Sequence, residues 1–385
     1  MKNNTSSSSK LLGIFALFTL GQAALLVNPA LASLATQFPD IPYSKITLLS
    51  TSISVAAVPA CTFAGNTAGK KMKYQTLAIA AALFIIIPGT AAYFISSFYG
   101  LLAMRLLVGI GIGLIQPIGN AIIVRTFHGQ KAAQMQGIGN VVVNLSSILY
   151  QLAAGWVCVY NPSFIWLIHL VLLIPLGLMI LFLEEPAPEH VPDKRHQGLP
   201  IFVYLITALC TTTFMCFYPL ITSMSALILT EGLGNTAVGG ITGAMFTVGG
   251  LLIGILFPAL YRKFEKNSLF IGHACWLFGM LLFCAGHRLP WLVIGTLFCG
   301  FGFYIVSPAT LMYYKNTLPE DKLVPAVGLF SAASNLGSIF SSFFCSFMEH
   351  LGFTAPRTII QIGFFGVIVS AILWLAVVFS ASRDQ

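Results

Sequence analysis

The sequence predicts an all-α membrane protein of twelve transmembrane helices in two pseudo-symmetric six-helix bundles. Three observations predict it. The 385 residues are 57% hydrophobic and only 8% charged, with mean hydropathy +0.89, which excludes a soluble globular chain. Apolar runs of about 20 residues, long enough to cross a bilayer, recur from end to end. The second half also repeats the first at a fixed offset of 191 positions: Gly109 falls on Gly300, Gly111 on Gly302, Pro117 on Pro308, Thr126 on Thr317, Gly137 on Gly328, Asn144 on Asn335 and Ser147 on Ser338. Duplicated halves of this kind are a recurrent plan of membrane transporters, with the site between the repeats.

Taken in order, residues 1–10 are a polar, Ser-rich tail expected to be disordered. The first span, near 11–36, has a basic start and an Ala30-Leu31-Ala32 stretch that mimic a signal peptide. Its end has an internal copy, with Pro29 matched by Pro219 and Asp40 by Glu231, which a removable leader would lack. Further spans fall near 45–64, 75–95, 99–124, 133–157, 164–183, 200–229, 237–260, 268–286, 291–314, 323–348 and 357–380. Glu184 to Leu199 is polar, Pro-rich and of mixed charge, so it reads as a linker. The expected domains are thus a six-helix bundle at 11–184, a cytoplasmic linker at 185–199 and a second bundle at 200–385.

The net charge of +8 does not describe a nucleic-acid-binding surface, because the basic residues sit in short clusters between apolar spans. With the N-terminus inside, fifteen of the 19 Lys and Arg residues fall on the cytoplasmic side, a bias that places both termini in the cytoplasm of a multi-pass plasma-membrane protein. The eight cysteines include no Cys-x-x-Cys pair and read as small buried hydrophobes. The Asn-x-Ser/Thr matches at Asn3 and Asn4 lie in the cytoplasmic tail and carry no glycan.

The informative span is the fourth. At about 100° per residue, Arg105, Gly109, Gly113, Gln116 and Asn120 share one stripe on an otherwise apolar helix. A charge in hydrocarbon costs about 2.5–3.5 kcal/mol or more, so this face turns towards protein or water. In span 5, Gln136, Asn140, Asn144, Ser147 and Gln151 form a second polar stripe, and span 11 repeats it with Ser331, Asn335, Ser338 and Ser342. Tyr218 in span 7, Tyr304 in span 10 and Asn28 beside Pro29 complete the candidate substrate-binding set: Arg105, Gln116, Asn120, Asn28, Asn140, Asn144, Gln151, Tyr218, Tyr304 and Asn335. All eleven acids lie in loops or at span ends, so no carboxylate sits at mid-depth to relay protons. Asp40 and Glu231 are the repeat-paired acids of the outer mouth and are assigned to gating or coupling, with Lys70 and Lys73 in the loop between spans 2 and 3.

Twelve spans in two halves, a short central linker, Arg105 followed by Gly109, Gly111 and Gly113, and the basic turn between spans 2 and 3 resemble the major facilitator superfamily over essentially the whole chain. The resemblance is uneven. Of the family's loop pattern, Gly-x-x-x-Asp-Arg-x-Gly-Arg-Arg, Gly65, Lys70 and Lys73 fit, but Gly69 stands in place of the Asp and Met72 in place of the second Gly. In the family that Asp helps latch one conformation. The span 5 signature of drug–proton antiporters is not met, since Tyr150-Gln151 and Ala154-Gly155 occupy its place. The resemblance implies a secondary transporter whose halves rock around a midplane site. It leaves two roles open for Arg105: holding an anionic substrate, or bracing span 1 through backbone carbonyls.

The expected function is transport of a small organic solute, neutral or anionic, by a monomer in the lipid bilayer. The alternatives are a drug or metabolite efflux permease coupled to protons through rim carboxylates, and a lipid flippase. No enzyme is expected: the sequence holds no metalloprotease, nucleophile-elbow or phosphate-loop motif. No metal, cofactor or nucleic-acid partner is expected either.

Overall fold

The computed structural model describes residues 7–127, 129–186 and 198–381; the start of the tail with Asn3 and Asn4, most of the linker and the last four residues lie outside the described residues. Every regular element among the described residues is a helix. Hydrocarbon offers no partner for backbone N–H and C=O groups, so a spanning segment must satisfy them internally. In chain order, α1 (Ser7–Gly21) continues as a 3-10 stretch (Gln22–Ala30) and α2 (Leu31–Ala35). A short α3 (Tyr43–Ile46) precedes α4 (Leu48–Thr67), α5 (Tyr74–Ala91), α6 (Phe98–Thr126) and α7 (Gly129–Tyr160). A second 3-10 stretch (Pro162–Leu172) leads into α8 (Leu173–Phe182). Then follow α9 (Ile201–Thr230), α10 (Thr236–Phe264), α11 (Ser268–Ala285), α12 (Leu289–Thr317), α13 (Glu320–His350) and α14 (Pro356–Ala381). Of the 11 segments long and apolar enough to span, the 50-residue run Thr236–Ala285 contains both α10 and α11, so twelve crossings result.

Local chemistry starts these helices where the sequence turns apolar. The Ser97 hydroxyl accepts the Gly100 N–H at 3.0 Å at the head of α6, and the Asn235 side chain accepts two N–H groups at the head of α10. Pro29 has no N–H to donate, and the first span winds as a 3-10 helix over the nine residues that contain it. Outward faces are apolar, with Leu181, Ile201, Ile255 and Phe365 largely exposed, as lipid requires.

The chain divides into two compact units. The first comprises Met1–Ile41 and Leu48–Val191, the second Pro42–Thr47 and Pro192–Gln385. Pro42–Thr47, between α2 and α4, thus belongs to the second unit. In the first unit α6 packs on α4 and α5; in the second α12 packs on α10 and α11, while α9 packs on α13 and α14. The duplicated glycines make matching contacts. A Cβ on Gly109 would meet the Ile53 carbonyl oxygen of α4 at 2.4 Å, and one on Gly300 the Phe246 carbonyl oxygen of α10 at 2.2 Å. Likewise Gly111 seats against Ala81 of α5, and Gly302 against Trp276 of α11. Bare backbone at these positions lets each helix approach its neighbour closely.

Candidate functional site

Arg105 lies on α6 with no exposed surface. Its Nε donates to the Leu49 carbonyl at 2.7 Å, and Nη2 donates to the Ala24 carbonyl at 3.1 Å. It thus ties α6 to the head of α4 and to the 3-10 stretch of the first span. Its Nη1 has no partner among the described residues. The guanidinium is enclosed by protein within the first unit.

About three to four turns further along α6, the same stripe opens onto a cleft of ≈190 Å³. Gln116 and Asn120 from α6, Gln136 and Asn140 from α7, and Gln22 at the start of the 3-10 stretch bring five carboxamides to its wall. The Gln136 Nε2 donates to Asn120 Oδ1 at 2.7 Å, and the Ser147 hydroxyl donates to Gln22 Oε1 at 2.8 Å, which engages three of the five amides. Phe18 closes the cleft between the two helices, its ring tip set against the bare Cα positions of Gly119 and Gly139. A carboxamide offers two donors and two acceptor lone pairs, so this wall can match either polarity of a hydrogen-bonding solute but supplies no charge.

Of the ten binding residues expected from sequence, three line this cleft: Gln116, Asn120 and Asn140. Arg105 does not. Asn28 is buried and accepts from the Ser50 hydroxyl at 2.5 Å. Asn144 is buried on α7, and Gln151 is buried with its Nε2 on the Ser147 carbonyl at 3.2 Å. Gln22 was not among the expected residues; an amide in an apolar span was its only signal, overshadowed by the Asn28-Pro29 pair six residues on.

Three of the ten belong to the second unit. Tyr218 on α9 shares a hydrogen bond with Ser338 on α13 and lies 5.9 Å from the Phe214 ring. Tyr304 on α12 meets Phe303 edge-on at 4.9 Å and Phe246 at 5.9 Å, over Gly250, where a Cβ would strike the tyrosine ring at 2.4 Å. Asn335 contacts its own helix, 3.4 Å from the Ser331 carbonyl. Tyr218 and Tyr304 thus sit among aromatic rings of the second unit, whereas the cleft of the first unit is lined by amides.

The rim groups differ from one another. Asp40 is exposed. Glu231 is a bidentate partner of Arg357, which also donates to the carbonyls of Phe283 at 2.8 Å and Cys284 at 3.1 Å. Glu231 therefore joins the ends of α9, α11 and α14 and is not a free carboxylate. A third acid, Glu349 on α13, accepts from the backbone N–H of Ser44 at 2.9 Å and from its hydroxyl. Of the buried histidines, His169 has Nδ1 3.1 Å from the Trp166 carbonyl and fills the space above Gly89, and His273 has Nδ1 2.8 Å from the Leu269 carbonyl. Among the described residues no group of three His, Cys, Asp or Glu is placed to hold a metal.

The sequence matches the profile of the Major Facilitator Superfamily over residues 11–342. The chain belongs to this superfamily. No curated protein matches it. Among solved members, a bacterial homolog of the human lysosomal transporter Spinster, inward-facing and unoccupied, is 12% identical, with 99% of each chain covered and a TM-score of 0.77. The nucleoside transporter NupG is 14% identical over 97% of this chain and 99% of its own, with a TM-score of 0.73. The POT family transporter PepTSo is 11% identical over 99% and 100%, with a TM-score of 0.79. At these identities the likeness carries the fold and not the cargo. The chain is a multi-pass transporter of the superfamily.

The departure from the superfamily's loop pattern has a structural counterpart. Gly69, in place of the Asp, has φ +71°, and a Cβ there would meet the Tyr74 ring at 2.5 Å. An aspartate would be strained by the left-handed backbone and would collide with the ring. At the head of α5 a carboxylate is supplied by Glu185, beyond α8, which accepts the N–H groups of Tyr74 at 2.8 Å and Gln75 at 3.0 Å. The Arg125 guanidinium stands 5.5 Å over the Tyr74 ring. Lys70 and Lys73 are exposed.

Proposed function

We propose that this protein carries a small, uncharged, hydrogen-bonding solute, such as an amide, ureide or polyol, across the plasma membrane by rocker-switch alternating access of its two bundles, with both termini cytoplasmic. One observation carries this reading: five carboxamides converge on one cleft, while the cation of the same helix face is committed to backbone carbonyls. On this reading Arg105 is a positioning residue that braces the first span. An anionic substrate would need a free cation in the cleft, and none lines it. A flippase would need an apolar path open to lipid, which an amide wall does not provide.

Proton-coupled efflux is the second reading. The contact of Glu349 with Ser44 favours it, since it gives one rim carboxylate a role that charge controls. The commitment of Glu231 to Arg357 counts against Glu231 as the coupling group.

Thermal unfolding of the purified protein against neutral amides, nucleosides, sugars and carboxylic acids tests the main reading. A ligand at 100 times its Kd adds about 2.7 kcal/mol of apparent stability. Neutral solutes should stabilise the wild type and Arg105→Lys, and should lose their effect in Gln116→Leu with Asn120→Leu. A response confined to carboxylic acids, lost in Arg105→Lys and intact in the amide variant, would overturn it.

A further inference from the structure

Among the described residues that line the amide cleft, Phe18 is the one aromatic side chain. Its ring, carried by α1, reaches between α6 and α7 where both helices are bare. A Cβ on Gly119 would stand 3.1 Å from the ring's Cζ, and one on Gly139 3.0 Å from its Cε2. Carbon atoms in optimal contact are about 3.5–4.0 Å apart, so the ring tip already occupies the room that the two absent methyl groups leave. Each glycine comes one residue before an asparagine of the wall, Asn120 on α6 and Asn140 on α7, so ring and amides stand at one level. Gly119 itself lines the cleft, which makes the space held by the ring continuous with it.

The second half of the chain does not repeat this arrangement. At the 191-residue offset Gly119 falls on Thr310 and Gly139 on Phe330. At the offset of 190 that pairs Pro29 with Pro219, Phe18 falls on Ala208. Phe330 packs instead on Tyr314 and Trp374, with ring centroids 6.2 Å and 6.1 Å away. A ring seated on two glycines is therefore a feature of the half that holds the cleft, and not of the packing common to both copies.

We propose that Phe18 is a specificity-determining residue that sets the upper size limit of the solute: the carboxamides select by hydrogen bonding, and the ring limits by volume. The proposal rests on the reading of the cleft as the solute site. At about 30 Å³ per molecule, the cleft's ≈190 Å³ is the room of about six waters, which suits a compact amide or ureide. Truncating Phe18 adds the volume of its ring at the level of Asn120 and Asn140, beside the groups that bind. Methyl groups on Gly119 and Gly139 act the other way. Each Cβ is fixed by its helix, so the ring tip must give, and the open side available to it is the cleft.

Thermal unfolding of the full-length protein, titrated with acetamide, allantoin or uridine, tests it; these are neutral solutes of rising size that share amide or ureide groups. The wild type should bind uridine at least about tenfold more weakly than allantoin, a discrimination within reach of a packed pocket. Phe18→Ala should close that gap. Gly119→Ala combined with Gly139→Ala should leave acetamide binding in place and weaken allantoin by about tenfold. A ring that served packing alone would shift the unfolding temperature of these variants and leave the relative affinities of the solutes as in the wild type, and that result overturns the proposal. So does a wild type that binds uridine as well as allantoin. Should Phe18→Ala fail to fold, Phe18→Leu and the glycine pair decide: a moved size limit supports the proposal, and an unmoved one overturns it. A wild type that responds to none of the solutes overturns the amide-cleft reading and this proposal with it. Binding in the wild type with unchanged relative affinities in every variant overturns the size limit alone.

Discussion

Four glycines, paired by the duplication, should respond in opposite ways to one added methyl group. A Cβ on Gly109 or Gly300 would lie 2.4 Å and 2.2 Å from a carbonyl oxygen of the adjoining helix, distances at which backbone must move. Gly137 on α7 and Gly328 on α13, also repeat partners, are exposed and have nothing within 4 Å of such a Cβ. Replacing a helical glycine by alanine gains about 0.8–1 kcal/mol of helix propensity in every case. At the seated pair, over-packing costs about 1–3 kcal/mol, and here the obstacle is backbone that no rotamer change can relieve, so the upper end applies. Gly109→Ala and Gly300→Ala should therefore lose about 2 kcal/mol, whereas Gly137→Ala and Gly328→Ala gain nearly 1 kcal/mol. Thermal or denaturant unfolding of the purified protein in detergent measures the difference. If Gly109→Ala and Gly300→Ala unfold together with Gly137→Ala, the glycines of α6 and α12 are not helix–helix seats, and the packing argument for the duplicated halves fails.

The other contacts predict smaller, local effects. Glu185→Ala removes the acceptor of two N–H groups at the head of α5 and should cost about 1 kcal/mol, as loss of a helix cap does; faster exchange of the Tyr74 and Gln75 amides would register it, and unchanged exchange would refute the capping role. Glu231→Gln removes the negative charge opposite the part-buried Arg357 guanidinium and puts an amide NH2 where one of its two carboxylate acceptors stood, leaving one side-chain acceptor and the Phe283 and Cys284 carbonyls. It should destabilise by about 2 kcal/mol, less than for a fully buried pair. Adding Arg357→Gln should recover part of that loss in a double-mutant cycle, and simple additivity would show that the pair contributes nothing.

Much of this architecture could be read from the chain before any coordinates. Hydrocarbon accepts only backbone that bonds within its own helix, so apolar run length sets the number and position of the crossings, and the fixed 191-residue offset sets the division into repeats. Helical periodicity likewise puts Arg105, Gln116 and Asn120 on one face of α6, and Gln136 and Asn140 on one face of α7. A face does not reveal what stands opposite. Along a single stripe, Arg105 meets the carbonyls of Leu49 and Ala24, while Gln116 and Asn120 meet an open cleft, because partners 56 and 81 positions away pack against the first and not against the others. The same holds for Glu185 on Tyr74, 111 positions apart, and for Glu349 on Ser44, 305 apart. Neither pair has a periodic signature, since each joins the end of one helix to the start of another. What depends on spacing within a helix was settled by the order of residues. What depends on which polar group reaches an unpaired donor or acceptor was decided only when the helices packed.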